Sequence, residues 1–146
     1  MRTLNMSNSK HKQQGIAAIE FLWSLPVLLL IMAGIFDFGQ AFIDYTVLNK
    51  AVHGGARYAV RGVSNTADSI ADESEIKNMV VYGNTSGTGS AKLDTLTPAS
   101  VTVAESGNYV TVTGVYQYIP FFSPLPFTTI SLNIPLTTSM VMRSKP

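Results

Sequence analysis

Few side chains in this sequence could do chemistry, and the one most out of place is Glu20. It lies in "QQGIAAIEF" (Gln13–Phe21), five residues after Gly15 and at the head of the most apolar stretch of the chain. A carboxylate at the centre of a bilayer costs about 2.5–3.5 kcal/mol on insertion scales. An acid placed there calls for a partner, and the chemistry open to it is an ion pair. A second acidic group, Asp68, Asp72, Glu73 and Glu75, could suggest a cation site. Its i, i+4, i+5, i+7 spacing follows no calcium-loop pattern, whereas acids do favour the first turns of a helix. His53 stands beside two glycines with no second ligand type nearby, as a surface or packing residue would. No glycine-rich phosphate loop, metal-ligand spacing or nucleophile elbow is present. We therefore expect no enzyme, no metal, no cofactor and no small-molecule substrate.

The element that positions Glu20 is Ile16–Phe36, "IAAIEFLWSLPVLLLIMAGIF", 21 residues whose single charge is Glu20. About 20 helical residues span a hydrocarbon core of about 30 Å. Lys10 and Lys12 precede it, which places residues 1–15 in the cytoplasm and the rest across the membrane. Three readings fit. One is an uncleaved signal anchor. Another is a cleaved secretory signal, with "GQA" at Gly39–Ala41 as a small-residue site, although its apolar region should run only about 7–15 residues. The third is a leader of the prepilin type, with a short basic peptide, a glycine, and an apolar helix whose fifth residue is glutamate. Pro26 should kink the helix by removing the bond to the Leu22 carbonyl, which membrane helices tolerate.

The helix should continue past the membrane. Phe38, Phe42, Tyr45, Leu48, Val52, Ala56 and Ala59 recur at three- and four-residue intervals as one stripe, with Gln40, Asp44, Lys50, Arg57 and Arg61 on the other faces. One helix is expected from about Ile16 to about Val60, with Gly54-Gly55 as a weak point. Ser64-Asn65-Thr66 could cap a short helix over Asp68–Val81. "YGNTSGTGS" at Tyr82–Ser90 reads as a flexible loop, and its Asn84-Thr85-Ser86 matches a glycosylation sequon. From Ser100 the period changes to two: a hairpin around Glu105–Asn108, a proline-rich connection at Pro120–Phe127, and a third strand over Ile130–Met142. Pro135 should mark a bulge or edge there. Strands with one apolar face must bury it, and the amphipathic half of the long helix is the surface available. The expected fold is α+β, with a small antiparallel sheet of about three strands packed on a long helix.

Totals agree with one modest domain plus a membrane segment in 146 residues. Three of the ten basic residues and none of the nine acids fall in residues 1–15, leaving the remainder at −2. That balance gives no support for nucleic-acid binding. With no cysteine, disulfides and thiolate chemistry are excluded.

Taken together, "GIAAIEF", "LPVLLL", "FDFGQAF", "HGGARYA", "YIPFF" and the terminal "ISLNIPLTTSMVMR" resemble the TadE-like family, minor pilin-like proteins or pseudopilins of the tight-adherence (Tad, or Flp) type IV pilus machinery. The likeness is dense over Gly15–Gly62 and looser, but in order, over Val101–Arg143; residues 63–100 match only in general character. The glycine-glutamate element is common to type IV pilins, and Phe21 after Glu20 is the more specific signal. The resemblance implies a leader, residues 1–15, removed by a prepilin peptidase on the cytoplasmic face, making Ile16 the new N-terminus. It implies a membrane-spanning part at 16–36, an amphipathic part of the same helix at 37–62 and a periplasmic globular region at 63–146. The protein would sit single-pass in a bacterial inner membrane, with other major and minor pilins and Tad assembly proteins as partners. Glu20 would meet the Ile16 ammonium of a neighbouring subunit. The filament, its tip and the basal machine are all open to such a subunit. The alternative is an uncleaved, membrane-tethered periplasmic binding module.

Overall fold

The computed structural model describes residues 10–61, 70–122, 129 and 133–144, with side chains from residue 15 onward. One helix dominates it. α1 runs over Lys10–Arg61 without interruption, about 78 Å at 1.5 Å per residue. It starts ahead of the expected Ile16, because nothing in "KHKQQ" opposes a helix: lysine and glutamine are good helix formers. It also passes through Pro26 and Gly54-Gly55 unbroken. Near Pro26 the Ser24 hydroxyl donates to the Phe21 carbonyl at 2.8 Å.

α2 (Glu73–Val81) starts five residues later than expected and takes its cap from Asp72, whose carboxylate accepts from the Ser74 backbone N–H at 2.8 Å and the Ser74 hydroxyl at 2.7 Å. The caps proposed at Ser64–Thr66, and Asp68 itself, lie outside the described residues. The Tyr82–Ser90 stretch is built from ordered turns rather than a loose loop. Asn78 Nδ2 donates to the Thr85 carbonyl at 3.1 Å, and the Asn84 side chain both donates to the Thr88 carbonyl and accepts from its N–H. The glycines that suggested flexibility instead supply positive φ at 83, 87 and 89.

After a 3₁₀ turn at Pro98–Ser100, three strands form an antiparallel sheet in the order β1-β2-β3: β1 (Val101–Ser106), β2 (Tyr109–Gln117) and β3 (Pro135–Arg143). The β1–β2 hairpin pairs Ser106 with Tyr109, leaving Gly107-Asn108 as a two-residue turn in which Gly107 has φ 58°; glycine is favoured there. β3 starts at Pro135, opposite Gln117. A proline is tolerated at the first residue of an edge strand, where its missing N–H costs no ladder bond. The expected start at Ile130 falls on residues that are not described.

The sheet buries one face against the upper half of α1. Along β2 the inward side chains alternate, with Val110, Val112 and Tyr116 buried. They meet Leu48, Val52, Ala56 and Ala59 of α1, while Ile76, Val80 and Val81 of α2 close the same core. Each fully buried Val, Leu or Ile contributes about 1.5–3 kcal/mol. Two glycines set how closely the layers approach. A Cβ on Gly114 of β2 would sit 2.8 Å from Val52 Cγ2 and 3.3 Å from Leu48 Cδ1, and one on Gly55 of α1 would collide with Val80 Cγ2. Gly55 is therefore a docking point for α2 and not a weak point in the helix.

The expected stripe on α1 is correct from Leu48 onward and wrong before it. Phe38, Phe42 and Tyr45 are exposed, and the buried line runs instead through Ala33 and Asp37 toward Leu48, with Ala41 packed against the core. At 3.6 residues per turn, Phe38 and Phe42 lie about 80–120° round the helix from Leu48, whereas Asp37 and Ala41 lie within about 20°.

Candidate functional site

Two regions of α1 carry the residues of interest. In the lower one the helix stands bare. Ile16, Ile19, Phe21, Leu22 and Trp23 are all exposed, and a Cβ on Gly15 would meet nothing within 4 Å. Glu20 is exposed and makes no hydrogen bond or ion pair among the described residues. Pro26 is half-buried within the same helix. The helix is long and apolar enough to cross a membrane, with a mean hydropathy of 2.2 over its most apolar window, of which only 6% is buried. A core helix of a water-soluble domain would be covered on one face. This one is apolar and uncovered.

The upper region begins abruptly at Asp37, the first charge after the apolar run. It is 1% exposed. Its carboxylate accepts the Phe121 backbone N–H at 2.8 Å through Oδ1 and the Phe122 N–H at 3.3 Å through Oδ2. The Tyr118 hydroxyl donates to the Asp37 carbonyl at 3.0 Å and, more weakly, to Oδ1 at 3.4 Å. Main-chain donors and a phenol thus satisfy a buried acid that has no cationic partner among the described residues, a requirement for any buried charge. Burial, then the Asp37 charge and the hydrogen bond to it, raise the Tyr118 hydroxyl above the ordinary tyrosine range. The rings beside this clasp are packed edge to face: Phe36 to Phe121 at 5.7 Å, Phe36 to Phe122 at 6.5 Å, and Phe121 to Phe122 at 5.0 Å.

Further up α1, more polar ties join it to the sheet and to α2. Asp44, expected on an outer face, is half-buried; it accepts from Gln40 Nε2 at 3.0 Å and from the Tyr116 hydroxyl at 3.3 Å. Burial, followed by the Asp44 charge and hydrogen bond, pushes the Tyr116 hydroxyl up to about 12. Thr138 of β3 donates to Asn49 Oδ1 at 3.3 Å. The Tyr58 hydroxyl donates to Glu75 Oε2 at 2.6 Å, and that bond is the main reason its pKa is raised. The described members of the acidic group at α2 are accounted for residue by residue: Asp72 caps, Glu73 pairs with Lys77 at 2.8 Å, and Glu75 holds Tyr58. No cluster of three or more His, Cys, Asp or Glu that could hold a metal occurs among the described residues. His53 is exposed on α1.

Of the sequence-selected residues, Gly15, Ile16, Glu20 and Phe21 fall together on the bare lower helix. None touches the sheet. The clasp residues were missed. The only trace of them in the sequence was that "YIPFF" and "FDFGQAF" both stand among the blocks that carry the family resemblance, since backbone N–H donors leave no mark in the residue types.

The fold and site define a class: an α+β protein in which one helix serves both as a candidate membrane span and as the spine of a small three-stranded sheet domain. Residues 15–57 match the profile of the family described as TadE-like protein. Over that stretch, under a third of the chain, the sequence is similar to TadE-like proteins. Searches of the curated proteins and of the solved structures returned no match. The matched stretch holds the bare helix and most of the buried one, and stops short of the sheet.

Proposed function

We propose that the chain is a minor pilin-like subunit, cut after Gly15 by a prepilin peptidase and assembled with other pilins and Tad assembly proteins through its N-terminal helix. It sits single-pass in the bacterial inner membrane, with residues 1–15 cytoplasmic and the sheet domain periplasmic. The observation that carries this reading is Glu20, an exposed acid without a partner among the described residues, on an otherwise apolar, uncovered stretch of helix. Cleavage would create an ammonium on Ile16, and staggered packing would bring a neighbour's ammonium to Glu20. Unit charges about 4 Å apart attract by about 4 kcal/mol at an effective dielectric near 20, offset by the desolvation of both. Lys10–Gly15 is helical in the precursor, so the peptidase must unwind it. Glycine, about 1 kcal/mol poorer than alanine in a helix interior, eases that step at the cut.

Intact mass of the membrane-extracted protein is the test. It should correspond to residues 16–146, with or without N-methylation, and Gly15→Leu should leave the precursor whole. A chain beginning at Met1 would support the tethered binding module instead. One beginning at Phe42 would indicate a cleaved secretory signal.

A further inference from the structure

The Ile119–Phe122 turn is apolar and lies beside the point where α1 leaves its apolar stretch. Phe121 is 75% exposed and Ile119 60% exposed, although both belong to a folded domain with a well-filled core. Phe121 rests edge-on against Phe36, the last residue of the apolar segment, and Phe36 is itself exposed. About 20 residues from Ile16 exhaust the hydrocarbon thickness, so Phe36 marks the boundary and Phe121 is held at that depth. Irregular backbone is tolerated there only when its N–H groups are satisfied within the protein. The Asp37 carboxylate, itself buried, does this for Phe121 and Phe122. What the turn then presents outward is phenyl ring and isoleucine, with no charge.

We propose that this turn is a second membrane contact: clasped by Asp37 to the exit of the membrane helix, it seats Phe121 in the lipid interface and sets the sheet domain against the bilayer. The partner is the acyl boundary of a lipid leaflet, not an anionic headgroup, since the turn carries no basic side chain. The proposal rests on α1 being a membrane anchor. It needs neither leader cleavage nor assembly.

Fluorescence quenching in the full chain tests it. Trp23 is the sole tryptophan, so Phe121→Trp and, as a control at the far end of β2, Tyr109→Trp are each made in a Trp23→Phe background. The proteins are reconstituted at low density in phosphatidylethanolamine–phosphatidylglycerol bilayers with and without brominated acyl chains. Wild-type Trp23 and the Phe121→Trp indole should both be quenched, with blue-shifted emission, and the Tyr109→Trp indole should not. Adding Asp37→Asn, which turns an amide NH₂ toward a backbone N–H, should bring Phe121→Trp down toward the control. Quenched Trp23 with an unquenched, solvent-like Phe121→Trp overturns the proposal while leaving the anchor intact. Unquenched Trp23 overturns the anchor and the proposal together. A blue shift at Phe121→Trp without quenching means protein covers the site, and also overturns it. Quenching that survives Asp37→Asn overturns the clasp as its cause.

Discussion

The two halves of α1 both carry a line of apolar residues, and those residues live in opposite circumstances. Below Asp37, leucine, isoleucine and phenylalanine stand exposed; above it, from Leu48 to Ala59, smaller apolar side chains are buried under a sheet and a second helix. Among the apolar residues the difference is one of size on the contact face: the buried line of the upper half includes Ala51, Ala56 and Ala59 and has Gly55 at its closest approach to α2, because a helix that must pack tightly needs room, whereas one facing lipid does not. Substitutions should accordingly damage folding in the upper half and leave it intact in the lower.

The sharpest break in that pattern should come at Asp37. Asp37→Leu would leave the Phe121 and Phe122 N–H groups without acceptors, at about 1–3 kcal/mol for each buried group left unpaired, while the Tyr118 hydroxyl would keep the main-chain carbonyl of residue 37. Thermal unfolding of the detergent-solubilised chain by circular dichroism should show the largest loss of any single substitution here. Gly114→Val comes next: its side chain would strike Val52 and Leu48, and overpacking of this kind costs about 1–3 kcal/mol. If Gly114→Val melts like wild type, the layers are looser than described.

A smaller effect is tied to pH. The Tyr116 hydroxyl is pushed up to about 12 in the folded chain, from an ordinary tyrosine value of 10.0. The folded state therefore holds its proton more tightly, and the stabilisation is complete below pH 10 and lost as pH rises from 10 to 12. Tyr116→Phe should flatten part of the fall in melting temperature over that window. Glu20→Gln should be the mildest on stability, within about 0.5 kcal/mol of wild type, as for exposed sites generally. It should nonetheless abolish crosslinking to other pilins if the ion pair is real. A variant that melts normally and assembles normally would sink the charge-pair account.

Much of the architecture was legible because it follows from periodicity. The apolar run gave the long helix, the two-residue alternation gave three strands, and Pro135 marked a bulge or an edge, of which the structure shows the edge, with the proline as the strand's first residue. The stripe failed at Phe38 and Phe42 because large apolar residues score the same whether they face a core or the outside. Asp37 was missed for a different reason. Its acceptor role depends on main-chain donors 84 and 85 residues away, and a charge at the end of an apolar segment already has a sufficient explanation as a membrane exit. The ordered turns at Tyr82–Ser90 were misread because glycine signals both looseness and the positive φ that a tight turn demands.

The unbroken course of α1 from Lys10 to Arg61 makes it a shaft that transmits azimuth. Each residue advances an α-helix by about 100° and 1.5 Å, so the compass heading of the sheet relative to Glu20 is set by the number of residues between Glu20 and Asp37. One residue inserted after Ile31 would swing the sheet about 100° around the membrane normal, while four would bring it back to within about 40° and lift it about 6 Å. In any packed set of such helices, neighbours joined at Glu20 would then present their sheets in a direction counted out in residues, as the thread of a screw fixes where its slot comes to rest.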